Sequence, residues 1–207
     1  FSHLYDTCSK LIKNIGSIFS LYAEYTLSLE SLDKSKLGWR ANKAVSGGGA
    51  SLDLGYHTID FLMYLLGMPD KIYAQLNFNS LPGDYSIDDS MKALCTYRNG
   101  QINAHMFVTK IYRRKGERIR IFGDQGYVTI DDRTVKLYNR QHELLESHSF
   151  NTKEQEVIDQ FSRFLKNSSG GIDVKKDRLL QDQLLNMKII DAIYESNSKS
   201  KIVRFNN

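Results

Sequence analysis

Within the stretch "GGGASLDLGYHTIDFLMYLLGMPD", Asp53, His57 and Asp60 interrupt an otherwise apolar run, and Tyr64 follows one turn later. At helical periodicity, His57 falls about 40° from Asp53, Asp60 about 20° to its other side and Tyr64 about 20° away, so the four share one stripe. An Asp and a His four residues apart bring a carboxylate within reach of an imidazole. The carboxylate orients the ring and supports its positive charge, and the pair can take or give the proton of a hydroxyl or carbonyl group. The same spacing equally describes a solvated surface pair worth a few tenths of a kcal/mol. A zinc site is disfavoured, because no second His and no Cys lies nearby.

The flanking residues extend this candidate site. Gly47, Gly48 and Gly49 leave the start of the helix bare of side chains, so a ligand is expected to approach its free backbone N–H groups. Trp39 and Arg40 stand in the loop before them. A guanidinium there suits a substrate carboxylate or a cofactor phosphate, and the alternative is a loop anchored by the indole. Tyr112 opens the basic segment Tyr112, Arg113, Arg114 and Lys115, read as a turn between two strands: either a pocket entrance or a solvated hairpin. His105 shares a strand face with Asn103 and Phe107 and is left outside the site.

The elements that must hold these residues follow from apolar spacing. Leu4, Leu11, Ile12 and Ile15 form the stripe of a first helix, and "GSIFSLYAEYTLSL" alternates as a strand. "ESLDKSKLGWRANKAVSGGG" is a polar loop, and one helix runs from Ala50 to Leu66, ended by Gly67 and Pro69. Strand-like runs then succeed one another to about residue 150, with tight reversals at "RNGQ" and "GDQG". Helices at Thr152 to Asn167 and Val174 to Ser196, split by "NSSGGID", precede a last strand "KIVRF". The expected class is α+β: a large, predominantly antiparallel or mixed sheet with helices packed on one face, the other face available for ligand and oligomerisation.

Composition narrows the function. With 207 residues, 41% hydrophobic and 25% charged, the chain can bury a core. A formal charge of +4 is too small and too dispersed to argue for nucleic acid, and no apolar run reaches membrane-spanning length. Cys8 and Cys95 form neither a disulfide framework nor a CxxC pair. The N-terminus has no signal-peptide character, so a cytoplasmic location is expected. The chain starts with Phe inside what reads as a helix, which suggests a piece of something longer. A strand, glycine loop and helix in dinucleotide-binding order is missing, so no nicotinamide cofactor site is expected in this chain itself.

The segments "GWR" and "GGGASLDLGYHTIDFLMYLLGMPDKIYA" closely resemble the C-terminal domain of the glucose-fructose oxidoreductase and inositol dehydrogenase (Gfo/Idh/MocA) family, with its Gly-rich turn, its D-L/I-G-x-H-x-x-D helix and its "YLLG.P..V.A" ending. "FSHLYDTCSKLIKNIGSIFSLYAEY" and "RIRIFGDQGYVTIDD" are similar to the family's flanking passages. Tyr56 departs from the common Val, Ile or Cys. The resemblance implies that residues 1–207 are the C-terminal substrate-binding and oligomerisation domain of an NAD(P)-dependent dehydrogenase. The N-terminal Rossmann domain, carrying NAD or NADP and a Lys of an "EKP" motif, would then lie outside the chain, and the isolated fragment would be inactive. It further implies that Asp53 and His57 are the acid-base pair, that Asp60 contacts substrate hydroxyls, that the substrate is a sugar, inositol or diol, and that subunits pair as dimers or tetramers through the sheet face. The competing reading is a non-enzymatic oligomerisation or ligand-sensing domain with a vestigial site.

Overall fold

A computed structural model describes residues 3–28, 37–80, 83–150, 157–158, 161–162, 165 and 178–205. Helix α1 (His3–Leu11) leads through a single 3₁₀ turn into strand β1 (Ile18–Ser28). A second 3₁₀ turn (Gly38–Ala41) and three helices follow: α2 (Lys43–Ser46), α3 (Ala50–Asp53) and α4 (Gly55–Leu66). Next come β2 (Lys71–Asn77), β3 (Ser90–Tyr97), β4 (Ile102–Thr109), β5 (Ile111–Gly123), β6 (Gly126–Asp131), β7 (Thr134–Asn139) and β8 (Leu144–Ser149). The long helix α5 (Arg178–Lys199) and β9 (Val203–Arg204) close the described chain.

The strands form one sheet in the order β8-β7-β6-β5-β1-β4-β3-β2-β9. Every pairing is antiparallel except β1 with β4, which run parallel. The α+β class read from the sequence is therefore the fold. Side-chain alternation sorts the two faces: Leu21, Ala23, Ala104, Met106, Ile119 and Ile121 are buried, whereas their neighbours Tyr22, Asn103, His105 and Arg120 are exposed. The buried face packs against Leu4 and Cys8 of α1, Ile59, Phe61 and Leu62 of α4, and Ile189, Ile190 and Ile193 of α5 in one core. β9 covers only the first two residues of β2, and the side chains of α5 satisfy the rest of that edge. Ser196 Oγ accepts from Ala74 N at 2.9 Å and Asn197 Oδ1 from Leu76 N at 2.9 Å.

Two expectations are corrected. The single helix from Ala50 to Leu66 is two, broken at Leu54 before the buried Gly55. Residues 112–115 are not a turn between strands but part of β5. The β1–β5 ladder passes from Thr26–Gly116 to Ser28–Ile111, so these four residues lie opposite Leu27 alone. They carry the chain around the end of β1, from the edge held by β4 to the edge held by β5. Most of the helix read at Thr152 to Asn167, the linker "NSSGGID" and the first residues of the helix read from Val174 lie outside the described residues; α5 itself runs three residues past Ser196, to Lys199.

Candidate active site

The glycines before α3 serve an internal anion, which corrects the expectation of free N–H groups. Asp88 is fully buried. Its Oδ1 accepts from Gly49 N at 2.8 Å and from the Tyr194 hydroxyl at 2.6 Å, and its Oδ2 accepts from Ser51 N and Ser51 Oγ, both at 2.7 Å. The Asp88 carbonyl accepts from Ala50 N at 2.8 Å. The start of α3 is thus capped by one carboxylate that complements its dipole. Only glycine allows this approach, since a Cβ on Gly49 would collide with the Asp88 carbonyl oxygen and one on Gly48 with the Tyr194 hydroxyl. Burial, then the neighbouring Asp88 charge, pushes the Tyr194 phenol upward, so it stays a donor.

Asp89, also fully buried, fastens the next loop. It accepts from Ser80 N at 2.8 Å, Ser80 Oγ at 2.9 Å and the Tyr85 hydroxyl at 3.0 Å. Its carbonyl accepts from Lys110 N at 2.9 Å. Two adjacent acids between β2 and β3 therefore fix both the helix that carries Asp53 and the strand end that carries Lys110. The sequence analysis missed Asp88, Asp89, Tyr194 and Lys110. A signal was present in "SIDDSM", where two acids sit between Ile87 and Met91, residues that prove fully buried.

Around this frame lies a recess of about 260 Å³ lined by Trp39, Arg40, Asp53, Tyr56 and Lys110 among others. The Asp53 carboxylate is 58% exposed and pairs through Oδ2 with Lys110 Nζ at 2.8 Å. Among the described residues no hydrogen bond joins Asp53 to His57. The exposed His57 imidazole adjoins the recess, edge-on to Tyr56 at 6.2 Å and to Tyr25 at 5.9 Å between ring centroids. Burial first, then the charges of Glu117 and Asp53, raises the Tyr25 phenol, keeping a neutral hydroxyl beside them. The Arg40 guanidinium stacks over the Trp39 indole at 4.8 Å.

Of the residues singled out in the sequence, Asp53, Trp39 and Arg40 thus share one recess, with His57 beside it. Asp60 is not among its lining residues: it accepts from Asn186 Nδ2 on α5 at 2.9 Å. Tyr64 donates to Asp6 of α1 at 3.0 Å, so the far end of the polar stripe ties helices together. Tyr112 is 48% exposed in the β5 segment that rounds β1.

The profile of the GFO/IDH/MocA C-terminal domain matches residues 6–129, more than half of the chain and every residue that lines the recess. The chain belongs to that family. Among curated proteins, the chain is 33% identical over 101 residues to D-glucoside 3-dehydrogenase of Escherichia coli (strain K12), covering 42% of the chain and 29% of that protein. Among solved structures, a levoglucosan dehydrogenase in complex with NADH and levoglucosan superposes with a TM-score of 0.79 at 19% identity, over 99% of the chain and 66% of its own. An NAD binding oxidoreductase from Klebsiella pneumoniae gives 0.83 at 16% identity, over 99% and 64%. These structural likenesses establish the fold. The chain spans less than a third of the curated relative and just under two thirds of the levoglucosan dehydrogenase.

Proposed function

We propose that this chain is the C-terminal substrate domain of an NAD(P)-dependent dehydrogenase acting on a hydroxyl or carbonyl of a sugar, inositol or diol, with His57 as the proton-transferring group. The observation that carries this reading is the exposed imidazole of His57, in ring contact with Tyr56 of the recess that the paired Asp53 and Lys110 also line. A nicotinamide, when bound, supplies the acceptor or donor of hydride. The glycine turn does not suit a dinucleotide's pyrophosphate, because Asp88 takes the N–H groups of Gly49, Ala50 and Ser51. In this reading the cofactor is presented by another part of the protein, and this domain handles the proton. His57 removes the hydroxyl proton in oxidation and returns it in reduction. Asp53, held by Lys110, supplies negative charge near the positive ring that forms, while Tyr25 and Tyr56 flank it. Trp39 and Arg40 form one wall for substrate. The levoglucosan dehydrogenase complex with NADH and the D-glucoside 3-dehydrogenase likeness support a nicotinamide cofactor and a sugar substrate.

We propose further that subunits pair through the open sheet face. There Tyr22, 51% exposed, stacks on His105 with centroids 5.4 Å apart, and Leu94 is 39% exposed beside them. The functional test is turnover of polyols and glycosides by the full-length protein, followed by nicotinamide absorbance with NAD and with NADP. His57→Ala is expected to lower kcat at least a hundredfold, within the usual range for removing a general acid-base, with cofactor binding intact. Unchanged turnover would sink the role of His57, and an absence of turnover on every substrate would favour the non-enzymatic reading.

A further inference from the structure

Lys110 is the most deeply buried charge on the recess wall. Its side chain is 5% exposed, yet its ammonium faces the cavity. Its backbone N–H donates to the Asp89 carbonyl at 2.9 Å, between the end of β4 and the start of β5. An ammonium carries three donors, and among the described residues Asp53 Oδ2 is its single side-chain partner. Burying a charged group with donors unused is costly unless something completes its hydrogen bonds. Asp53, more than half exposed, likewise has acceptor capacity left on the solvent side of the pair. The recess therefore ends in a donor and an acceptor 2.8 Å apart, the complement of two hydroxyl groups on neighbouring carbons.

We propose that Lys110 and Asp53 form a clamp for a vicinal diol, Lys110 donating to one hydroxyl oxygen while Asp53 accepts from the adjacent hydroxyl. The inference rests on the reading of the recess as a sugar site and adds to it the unit that is recognised. A pyranoside enters with two adjacent hydroxyls against the clamp and a ring face against Trp39. A substrate with isolated hydroxyls satisfies only half of it.

The experiment titrates the full-length protein by calorimetry, with nicotinamide cofactor present, using methyl β-D-glucopyranoside and its 2-, 3- and 4-deoxy analogues. It compares the wild type with Lys110→Met, which keeps the buried stem, and Lys110→Arg, which keeps the charge. The expected result is that two deletions on neighbouring carbons each weaken wild-type binding about tenfold, the equivalent of about 1.4 kcal/mol. Lys110→Met should weaken the parent glucoside by a similar factor and become indifferent to one of those deletions, with partial recovery in Lys110→Arg. Should Lys110→Met fail to fold, as judged by circular dichroism, the wild-type deoxy series decides alone. Equal wild-type affinity for all analogues, or glucoside binding by a folded Lys110→Met as tight as the wild type's, overturns the clamp. Binding without turnover in the full-length protein overturns the dehydrogenase reading and leaves the clamp standing. No binding of any of these sugars overturns the clamp together with the sugar site it rests on.

Discussion

Replacing Asp88 with Asn exchanges one oxygen for an NH₂ far from solvent and should be felt throughout the domain. The carboxylate receives four donors: Gly49 N, the Tyr194 hydroxyl, Ser51 N and Ser51 Oγ. An amide has one accepting oxygen, and its NH₂ must face either the Gly49 and Tyr194 side or the Ser51 side. The less costly choice points NH₂ at Tyr194, whose hydroxyl can rotate to accept, and leaves the Gly49 N–H with the Tyr194 oxygen, 3.3 Å away, as its acceptor. Losing two hydrogen bonds to a charged acceptor sums to about 3–5 kcal/mol. For a chain of this size that lowers the melting midpoint by about 10 °C. Ser51→Ala removes one hydroxyl donor and should cost about 2 kcal/mol. Circular dichroism melts of the two variants and the wild type measure both. A midpoint for Asp88→Asn within about 2 °C of the wild type, or a larger loss in Ser51→Ala, would refute the account of Asp88 as the anchor of α3.

Two further predictions concern the core and the open sheet face. Burial pushes the thiols of Cys8 and Cys95 up to about 12 from 9.0, so both should stay unreactive toward a disulfide reagent in the mildly alkaline native chain and react once it is unfolded in guanidinium chloride. The same shift sets a sign for stability. Below 9.0 both states hold the thiol protons and the contribution is fully present. As pH rises from there toward 12 the unfolded chain sheds protons that the folded chain keeps, so urea midpoints should fall. For the sheet face, Tyr22→Glu should convert an oligomer to monomers in sedimentation velocity without altering the melting midpoint, and an unchanged mass would remove that face from the interface.

The fold class, the strand-rich middle and the turn at "RNGQ" were legible because alternation and turn chemistry are local. The placing of β1 was not. Its residues read correctly as a strand, but its pairing partners lie about eighty to a hundred residues away, and nothing in a period-2 pattern names a partner. The helix motif was read as one stripe, and the break at Leu54 gave Asp53 to Lys110 while Asp60 and Tyr64 went to neighbouring helices. Asp88 was invisible for the same reason as β1: a residue in a polar turn reads as solvated until the partner 39 positions earlier is brought against it. Trp39, Arg40 and Asp53, close in sequence, line one recess.

The central position of β1 also dictates an order of events during folding. This strand is made first, yet it has a neighbour on each side only after β4 and β5 exist, the latter ending at Gly123. Until then its apolar side chains, Leu21 and Ala23 among them, have no sheet to join, and closing so long a loop costs entropy before any pairing returns it. The hairpin of β3 and β4, whose strands are joined by a four-residue turn, can form much sooner. The sheet therefore assembles from hairpins on either side of its centre, and β1 joins late between them. A ribosome releasing this chain must expose β1, complete at Ser28, until Gly123 has been made, which makes that segment its natural point of chaperone dependence.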